Sequence, residues 1–571
     1  MSISTGTTAQ LDQMIAALRD GERGWAGESL ASRRDLLMQV HANTAAYAEQ
    51  WVRVAEHIKQ LPAGSPLLGE EWISGPWAVL GYAHALADTM ARLEQGRDLL
   101  AGRRVGTAPG GRVAVDVLPH DVFDRLLLSG FRAEVWMEPG VTELQTRQHA
   151  GLGQLAPEQT AGVAVVMGAG NIFSIAPLDV LYQLYAYNRV VLLKLNPVTD
   201  PLLPVFQAVF APFIERGYLH IVTGDASVGD HLVTHEGVDA VHITGSEATH
   251  DAIVWGAGAA GTAAKAAGTL RLDKPITSEL GGVSPTIVVP GRWSAADLRF
   301  QAEHIATQRL HNSGFNCIAA QVVIVSRDWP QKQEFYAALR AAFAAAPARP
   351  AWYPGCDLRV HGARKAHPHF EAVGGTAERT LLWNLDLTDN AESAFGTEYF
   401  GPVLGIAELP GTGAAFLDAA VEAANERLHG TLGANLVIDP RTRRQLGVRL
   451  REGIARLRYG TVGVNAWTGV GYLTPRATWG AFPGHTLDDV QSGRGVVHNA
   501  LLLHRPERTV VYGPFRPLPR SVMTGEFSLT PKPPWFVGNR TAATTGRRIV
   551  AFAARPRWSA LPAIFASALR G

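Results

Sequence analysis

Val163-Ala164-Val165-Val166-Met167 is the stretch that decides the fold of this 571-residue chain. It is short, rich in β-branched residues and apolar throughout, and similar runs follow at residues 190–193, 219–222 and 240–243. Between these runs lie segments with helical patterning. Strands that are apolar on both faces and alternate with helices are typical of a parallel sheet that is covered on both sides. The sequence therefore predicts an α/β, doubly wound, Rossmann-type nucleotide-binding domain, with its ligand at the carboxyl ends of the strands.

Helices are predicted before this region and a second α/β unit after it. Leu11, Met14, Ile15 and Leu18 recur at helical spacing, and the first hundred residues carry mainly such patterns. Apolar strand-like runs return at residues 321–325, 434–438 and 461–465. We therefore expect more than one domain, as the length of the chain also requires.

Two glycine turns follow predicted strands. Gly168-Ala169-Gly170-Asn171 begins like a dinucleotide fingerprint, but Phe173 stands where the third glycine belongs, so the signature fails. Thr244-Gly245-Ser246 precedes a helix, where Gly245 would let a phosphate approach the backbone and Ser246 could bind its oxygen. The simpler interpretation of Ser246 is an ordinary helix N-cap.

Three polar segments are candidates for chemistry. Cys317 follows Asn316 in a small polar loop, where a thiolate nucleophile is one interpretation and a small buried side chain is the other. Glu279 stands beside Gly281-Gly282 and is a candidate general base or, alternatively, a solvated carboxylate. Residues 398–402, Glu-Tyr-Phe-Gly-Pro, combine a carboxylate, two rings and a tight turn.

Composition limits the partners and the compartment. The chain has 52 basic and 51 acidic side chains, which gives no general reason to expect nucleic acid or an anionic membrane as the main partner. Two cysteines can form at most one disulfide, the N-terminus lacks the pattern of a signal peptide, and no apolar run is long enough to span a bilayer. We therefore expect a cytoplasmic protein.

Taken in order, the motifs resemble those of the aldehyde dehydrogenase superfamily. The resemblance extends from about Leu30 to Pro514, and the family's order and spacing are similar for Gly170-Asn171, Lys194, Thr244-Gly245-Ser246, residues 279–285, Asn316-Cys317 and residues 398–402. Because the series as a whole matches, it is far more specific than any single motif.

The resemblance implies a reaction and a set of catalytic residues. Cys317 would add to an aldehyde, Asn171 and the Cys317 N–H would bind the oxyanion, and Glu279 would activate the water that releases a carboxylic acid. A CoA-acylating aldehyde dehydrogenase or acyl-CoA reductase is the alternative, although such members commonly lack the glutamate. A catalytically silent structural member is a further alternative.

The resemblance also implies a nicotinamide dinucleotide as cofactor. Lys194 would contact the adenosine ribose, Gly245 and Ser246 the pyrophosphate, and Glu398 and Phe400 the nicotinamide ribose and ring. NAD-preferring members often carry a glutamate where this chain has Pro197. Either NAD or NADP is therefore expected, because no carboxylate repels a 2′-phosphate at that position.

Several histidines are also candidates for a role in the site, and one segment departs from the family pattern. His311 precedes Cys317 by six positions and suggests a Cys-His pair, but an ordinary hydrogen-bonding role is favoured. No metal is predicted, because His231, His235 and His242 show no recognised ligand spacing. The segment from Trp479 to His485 departs from the family pattern and is expected to border the substrate tunnel, so the resemblance does not identify the aldehyde.

The expected domains follow the family. We predict N-terminal helices with the dinucleotide-binding domain over residues 1–130 and 160–281, and a catalytic domain over 282–485. A small β oligomerisation arm and terminal strand, 131–159 and 486–516, would support a homodimer or homotetramer. Residues 517–571 form a basic, proline-rich, extended tail with an amphipathic helix near 564–569. This tail is expected to pack on a neighbouring subunit; a lid or a membrane-surface element for long-chain aldehydes is the alternative.

Overall fold

The computed structural model describes residues 8–374 and 379–571; residues 1–7 of the predicted N-terminal domain and 375–378 of the predicted catalytic domain lie outside this description. The strands are β1 Val105–Ala108, β2 Arg112–Leu118, β3 Arg132–Met137, β4 Gly162–Met167, β5 Arg189–Lys194, β6 Leu219–Val222, β7 Ala240–Gly245, β8 Ile276–Leu280, β9 Ser284–Val288, β10 Ala320–Ser326, β11 Glu371–Ala372, β12 Thr380–Leu385, β13 Val403–Leu409, β14 Gly433–Val437, β15 Thr461–Val464, β16 Thr478–Gly480, β17 Gly493–Arg494, β18 Val496–Asn499 and β19 Pro506–Tyr512.

The α-helices are α1 Thr8–Gly27, α2 Leu30–Ile58, α3 Leu68–Trp72, α4 Ala78–Glu94, α5 Val122–Leu127, α6 Glu143–His149, α7 Leu152–Leu155, α8 Ile175–Ala186, α9 Leu203–Val209, α10 Ala211–Ile214, α11 Ala226–Thr234, α12 Glu247–Val254, α13 Gly258–Ala267, α14 Ala295–Leu310, α15 Lys332–Ala345, α16 Cys356–Ala366, α17 Ser393–Gly396, α18 Gly413–Arg427, α19 Pro440–Leu446, α20 Val448–Arg456, α21 Gly469–Leu473, α22 Arg520–Met523, α23 Ala542–Ala554 and α24 Leu561–Ala568. A π-helix, Ile73–Trp77, joins α3 to α4. None of the helices in the described parts of the chain combines the length and apolar character that crossing a bilayer requires.

The first sheet confirms the predicted Rossmann-type domain. Its order is β17-β8-β7-β4-β5-β6, and all neighbours from β8 to β6 are parallel. β4 is buried along nearly its whole length, which explains why its sequence is apolar without alternation. Chain order reverses between β4 and β7, and a reversal of this kind opens a ligand crevice at the carboxyl ends of the strands.

The second sheet has eleven strands in the order β1-β2-β3-β19-β15-β14-β9-β10-β13-β12-β11. The strands from β19 to β12 are parallel, and the antiparallel ribbon β1-β2-β3 joins them through β19. The predicted arm thus pairs with the catalytic strands of its own chain.

The strand pairing differs from the predicted arm at two places. The ribbon begins at Val105, before the predicted boundary at residue 131, because β1 and β2 pair ahead of β3. Residues 493–499 were assigned to the arm, but β17 pairs with β8 of the first sheet and β18 pairs with β16. Gly493 allows this, since its φ of 122° and its close approach to the Ser278 backbone exclude a side chain.

The C-terminal segment, residues 517–571, is folded on its own chain instead of extended. α23 packs against α3, the π-helix and α4, and it buries Val550 and Phe552. The predicted helix near residues 564–569 is present as α24. Basic side chains of the segment find acidic partners elsewhere in the chain, as when Arg520 pairs with Asp297 and Lys532 with Glu303. The basic side chains of residues 517–571 therefore help to hold the segment on its own chain through ion pairs.

Two glycines permit the close contact between α3 and α23. A Cβ on Gly69 would lie 2.5 Å from the Ala542 carbonyl carbon, and a Cβ on Gly546 would lie 2.9 Å from the Cβ of Trp72. Distances this short require the backbone to move, so these glycines determine how closely the helices approach.

We predict that Gly69→Ala lowers the midpoint of thermal unfolding. The overlap with α23 should cost about 1–3 kcal/mol, more than the roughly 1 kcal/mol that alanine gains over glycine in a helix. Gly362→Ala on α16 is the matched control, because a Cβ there meets nothing within 4 Å. Differential scanning fluorimetry should show a lower midpoint for Gly69→Ala and an equal or higher one for Gly362→Ala; equal midpoints for both variants would contradict the packing argument.

Candidate active site

The carboxyl edge of the first sheet gathers most of the predicted site residues. Lys194 ends β5, Asn171 follows β4, Gly245 ends β7 and Glu279 lies near the end of β8. These four strands are neighbours and run parallel, so their carboxyl ends lie side by side. The topology thus brings together residues that are scattered over more than a hundred positions of sequence.

Cys317 lies in a tightly held loop between α14 and β10. Asn312 and Ser313 adopt positive φ values of 54° and 58°, which turn the chain sharply after the helix. The buried Arg309 guanidinium donates to the carbonyls of Gly314 at 2.8 Å and Ala320 at 3.3 Å. The backbone around the thiol is therefore fixed from both sides.

The thiol meets the predicted base directly. Cys317 Sγ donates to Glu279 Oε1 at 3.4 Å, and Trp479 Nε1 donates to the same oxygen at 2.8 Å. The other carboxylate oxygen, Oε2, is buried without a hydrogen-bond partner among the residues the structure describes. Trp479 belongs to the segment that departs from the family pattern, and it borders the site as expected.

Burial and charge keep the thiol protonated in the resting site. Burial raises the pKa of Cys317 well above its usual value, and the nearby charges of Glu279 and Glu398 raise it further. Burial also raises the pKa of Glu279, against the opposing influence of His498. Ionisation of Cys317 therefore requires a base or a local positive charge.

Two hydrogen-bond donors belong to the loop that carries the thiol or contact that loop. The Asn171 side-chain amide donates to the Phe315 carbonyl at 3.0 Å, which leaves its second N–H available. The backbone N–H of Cys317 has no acceptor on another residue within the described ranges. An amide and a backbone N–H near a nucleophile are the usual components of an oxyanion hole.

Glu398 and Phe400 approach the same loop from another part of the chain. Glu398 Oε1 is buried with no hydrogen-bond partner among the described residues, and burial raises the pKa of this carboxyl to about 7, with Arg309 acting against the shift. Phe400 adopts a positive φ of 38° and lies 5.7 Å from the Phe315 ring. Gly281 packs so closely on the Glu398 carboxylate that any side chain would overlap it, which explains the glycine.

Lys194 is buried at the end of β5, and a carboxylate that sequence reasoning missed lies near it. Burial lowers the pKa of Lys194, whereas the charges of Asp200 and Asp225 act in the opposite direction. Asp200 Oδ1 is buried and lacks a partner within the described chain. An acidic residue after the second strand of a Rossmann-type sheet is the signal that could have identified Asp200, which lies three residues after Pro197.

Gly245 and Ser246 are exposed at the end of β7. Ser246 Oγ accepts a hydrogen bond from the Thr249 N–H at 3.2 Å and caps α12. A Cβ on Gly245 would make only ordinary contact with Ile243. The N-cap interpretation of Ser246 is therefore correct, and its place at the crevice leaves the phosphate role as a prediction.

His311 does not form a catalytic pair with the thiol. Burial lowers the pKa of His311 to about 4, so the ring is neutral. Its Nδ1 faces Asn316 Nδ2 at 3.2 Å, and its ring packs 4.6 Å from Trp467. The hydrogen-bonding role favoured by the sequence agrees with this geometry.

A potential metal-ligand cluster, absent from the sequence prediction, is formed by Asp12, His231 and His235. Their ligand atoms all lie within 4.8 Å of one another. Sequence spacing could not find the cluster, since Asp12 comes from α1 and the histidines from α11 and its end. His235 Nδ1 accepts the Gly237 N–H, so its Nε2 carries the proton and faces Asp12 at 3.4 Å. Hydrogen bonds account for the arrangement without an ion.

A buried ionic network supports the cysteine loop. Lys59 Nζ contacts Asn312 Oδ1 at 2.9 Å and Glu71 at 2.7 Å. Glu70 accepts the Asn312 N–H at 2.8 Å and pairs with Arg349. These residues also escaped sequence analysis, because their partners are up to 279 positions away.

An apolar pocket opens in front of Cys317. Its walls come from the N-terminal helices, the first sheet and the catalytic domain, and they include Ile73, Ile172, Ile318, Trp467, Leu473 and Trp479. The site therefore places a thiol and its carboxylate partner beside an apolar pocket.

We predict that Glu279→Gln lowers the pKa of Cys317, because it removes a negative charge that raises it. In a Cys356→Ala background, the pH at which iodoacetamide alkylation is half-maximal should fall, with about tenfold more thiolate at a fixed pH below the pKa for each unit of change. Glu426→Gln, a surface carboxylate paired with Arg458, is the control and should leave the profile unchanged. Identical profiles for the Glu279 variant and wild type would show that the carboxylate does not influence the thiol.

Comparisons with known proteins find aldehyde dehydrogenases. Residues 154–381 match the aldehyde dehydrogenase family. A geranial dehydrogenase from Castellaniella defragrans is 28% identical over 273 residues, which are 44% of this chain and 50% of that protein. The chain thus spans about half the length of this curated relative.

Solved structures match over most of the chain. An aldehyde dehydrogenase from Pseudomonas syringae, solved with NAD+ and octanal, aligns with a TM-score of 0.57 at 19% identity over 90% of each chain. An NADP-dependent glyceraldehyde-3-phosphate dehydrogenase from Bacillus halodurans, solved with NADP, aligns with a TM-score of 0.57 at 20% identity over 88% of this chain and 91% of that one. The match over residues 154–381 and the shared fold make this chain similar to aldehyde dehydrogenases.

Proposed function

We propose that the protein oxidises an aldehyde to a carboxylic acid, with water as the oxygen source and NAD+ or NADP+ as the two-electron acceptor. The observation that carries the proposal is the contact between Cys317 Sγ and Glu279 Oε1 at the base of an apolar pocket. The relatives named above, which include enzymes solved with NAD+ and with NADP, support it.

Cys317 is the proposed nucleophile. Its sulfur forms a bond to the aldehyde carbon and gives an oxyanion, while Glu279 accepts the thiol proton through the existing hydrogen bond. The Asn171 amide and the Cys317 N–H stabilise the oxyanion, a contribution worth roughly 3 kcal/mol for each donor. Both donors are fixed by the loop, so little reorganisation is needed.

Glu279 is also the proposed base for the second half of the reaction. After loss of hydride, the acyl group remains on Cys317 as a thioester, which water must attack. The raised pKa of Glu279 makes the carboxylate a better proton acceptor than an ordinary glutamate. Glu279 first releases the thiol proton to solvent; water then forms the new C–O bond and passes a proton to Glu279, and as the C–S bond breaks the Cys317 sulfur takes that proton back and leaves the acid product.

The residues at the crevice fit a nicotinamide dinucleotide, which supplies the hydride acceptor when bound. Buried carboxylate oxygens of Glu398 and Asp200 lack hydrogen-bond donors in the described chain, and ribose hydroxyls are donors. Lys194, Gly245, Ser246, Glu398 and Phe400 are the residues proposed to hold the cofactor. Phe400 offers a ring face, and the N-terminus of α12 offers free N–H groups for phosphate.

We expect cysteine-dependent formation of reduced cofactor with an aldehyde and NAD+ or NADP+, measured by absorbance. Cys317→Ala should abolish turnover, Asn171→Ala should lower kcat by about 10²–10³, and Glu279→Gln should lower it by about 10²–10⁴. Cys356→Ala, which removes the other thiol, is the control and should retain activity. Turnover that survives in Cys317→Ala would refute the proposal, and turnover that requires coenzyme A would replace hydrolysis with acyl transfer.

Asp200 is proposed to favour NAD over NADP. Its carboxylate lies after the second strand, where an acidic group binds ribose hydroxyls and repels a 2′-phosphate. Asp200→Asn should therefore raise the ratio of kcat/KM for NADP to that for NAD by about tenfold or more. Asp225→Asn is the matched control, since it removes the same charge near Lys194 while asparagine can keep the N-cap. If the ratio of kcat/KM for NADP to that for NAD is the same in wild type and Asp200→Asn, Asp200 does not select the cofactor.

Assembly and location remain predictions of the same proposal. A homodimer or homotetramer is expected from the family, although β3 and β19 are already paired within the chain. The cytoplasm is the expected compartment, in line with two cysteines that form no disulfide with each other.

A further inference from the structure

The C-terminal segment walls a second cavity beside the catalytic pocket. This outer cavity has a volume of about 250 Å³ and lies between the N-terminal helices and residues 530–568. The wall contributed by the C-terminal segment is mainly apolar and includes Trp535, Ile549, Phe552, Ala553, Ile564 and Phe565. None of the motifs that identify the family falls in this segment.

Ile73 and Leu473 line both cavities. Each side chain faces the pocket in front of Cys317 and also the outer cavity. Two aliphatic side chains, which can change rotamer readily, are therefore shared walls between the two spaces. No charged group is common to the linings of both cavities.

The backbone at this partition is unusual. Ile73 begins the π-helix, in which Gly75 departs from helical geometry with φ and ψ both at −106°. π-Helical turns are rare and occur frequently at functional sites. A Cβ on Gly75 would lie 3.1 Å from Trp51 Nε1, so the packing behind the π-helix favours glycine. Ile73, which lines both cavities, thus begins an irregular turn of the chain.

The lining of the outer cavity is not wholly apolar, since it also contains the side chains of His84, His120, Asp124 and Arg476. Two adjoining cavities with mainly apolar walls, the inner one beside the thiol, suit a molecule with one reactive end and a long apolar body.

We propose that the two cavities form one substrate channel, and that the substrate is an aldehyde with an extended apolar chain whose far end lies against the C-terminal segment. This inference rests on the proposed function for the reacting end. The aldehyde carbon reaches Cys317 in the inner pocket, and the chain passes Ile73 and Leu473. Each methylene that leaves water for an apolar wall should improve kcat/KM by about fourfold until the channel is filled.

The first test is a chain-length series from propanal to dodecanal. Wild type should show kcat/KM that rises with length over the series. Ala553→Trp fills the outer cavity and should lower kcat/KM for dodecanal by about tenfold or more, while the value for propanal stays within about twofold. Ala551→Trp, on the exposed side of the same helix, is the matched control and should change neither value.

The second test measures binding without turnover. Calorimetric titration of full-length Cys317→Ala with 1-dodecanol should show binding that is lost when Ala553→Trp is added and kept with Ala551→Trp. Dodecanol binding of this kind without any aldehyde oxidation would refute the proposed function and leave the channel standing. Activity that is independent of chain length, or equal losses for propanal and dodecanal in Ala553→Trp, would overturn the channel.

Discussion

The ion pairs beneath the cysteine loop are the interaction on which the site depends. Burial alone would raise the pKa of Glu70, but the charge of Arg349 and the Asn312 N–H lower it to about 2, so the carboxylate stays ionised. Its oxygens hold the first residue of the left-handed turn, and Lys59 holds the Asn312 side chain. Removing one member of a buried pair leaves an uncompensated charge and costs about 3–5 kcal/mol. The position of the nucleophile is therefore set by residues of the N-terminal helices.

Much of the fold and the central pair of the site could be predicted from sequence, because both depend on short-range pattern. The strand from Gly162 to Met167 is apolar on both faces, and such a strand needs cover on both sides wherever it lies. The surroundings of Cys317 and Glu279 made them candidates, and only the ordered series of motifs that resembles a known family selected them over the simpler interpretations. The glycines near these two residues have structural reasons. Gly281 touches the Glu398 carboxylate and leaves no room for a side chain, and Gly314 turns the chain with a φ of 85°.

The remaining features depend on partners that local pattern cannot reveal. Glu70 meets Asn312 only because α3 packs on the cysteine loop, and Asp200 lies near Lys194 of β5. The C-terminal segment looked extended because its prolines and arginines resemble a linker. The segment packs against Gly69 and Trp72 of α3. Nothing in the sequence of residues 517–571 indicates these partners. In each of these cases the structure is determined by contacts between residues far apart in the sequence, not by local propensity.

The place of β19 in the second sheet has a consequence for biosynthesis. Thr509 pairs with Thr461 of β15 on one side and with Val135 of β3 on the other, so the last strand joins two parts that are made earlier. The edge of β3 stays open until residue 512 emerges from the ribosome, a delay of roughly 20–75 s at the usual rate of about 5–20 residues per second. An unpaired edge of this kind invites contact with other chains. The nascent chain therefore carries an unpaired strand edge on β3 for most of its synthesis.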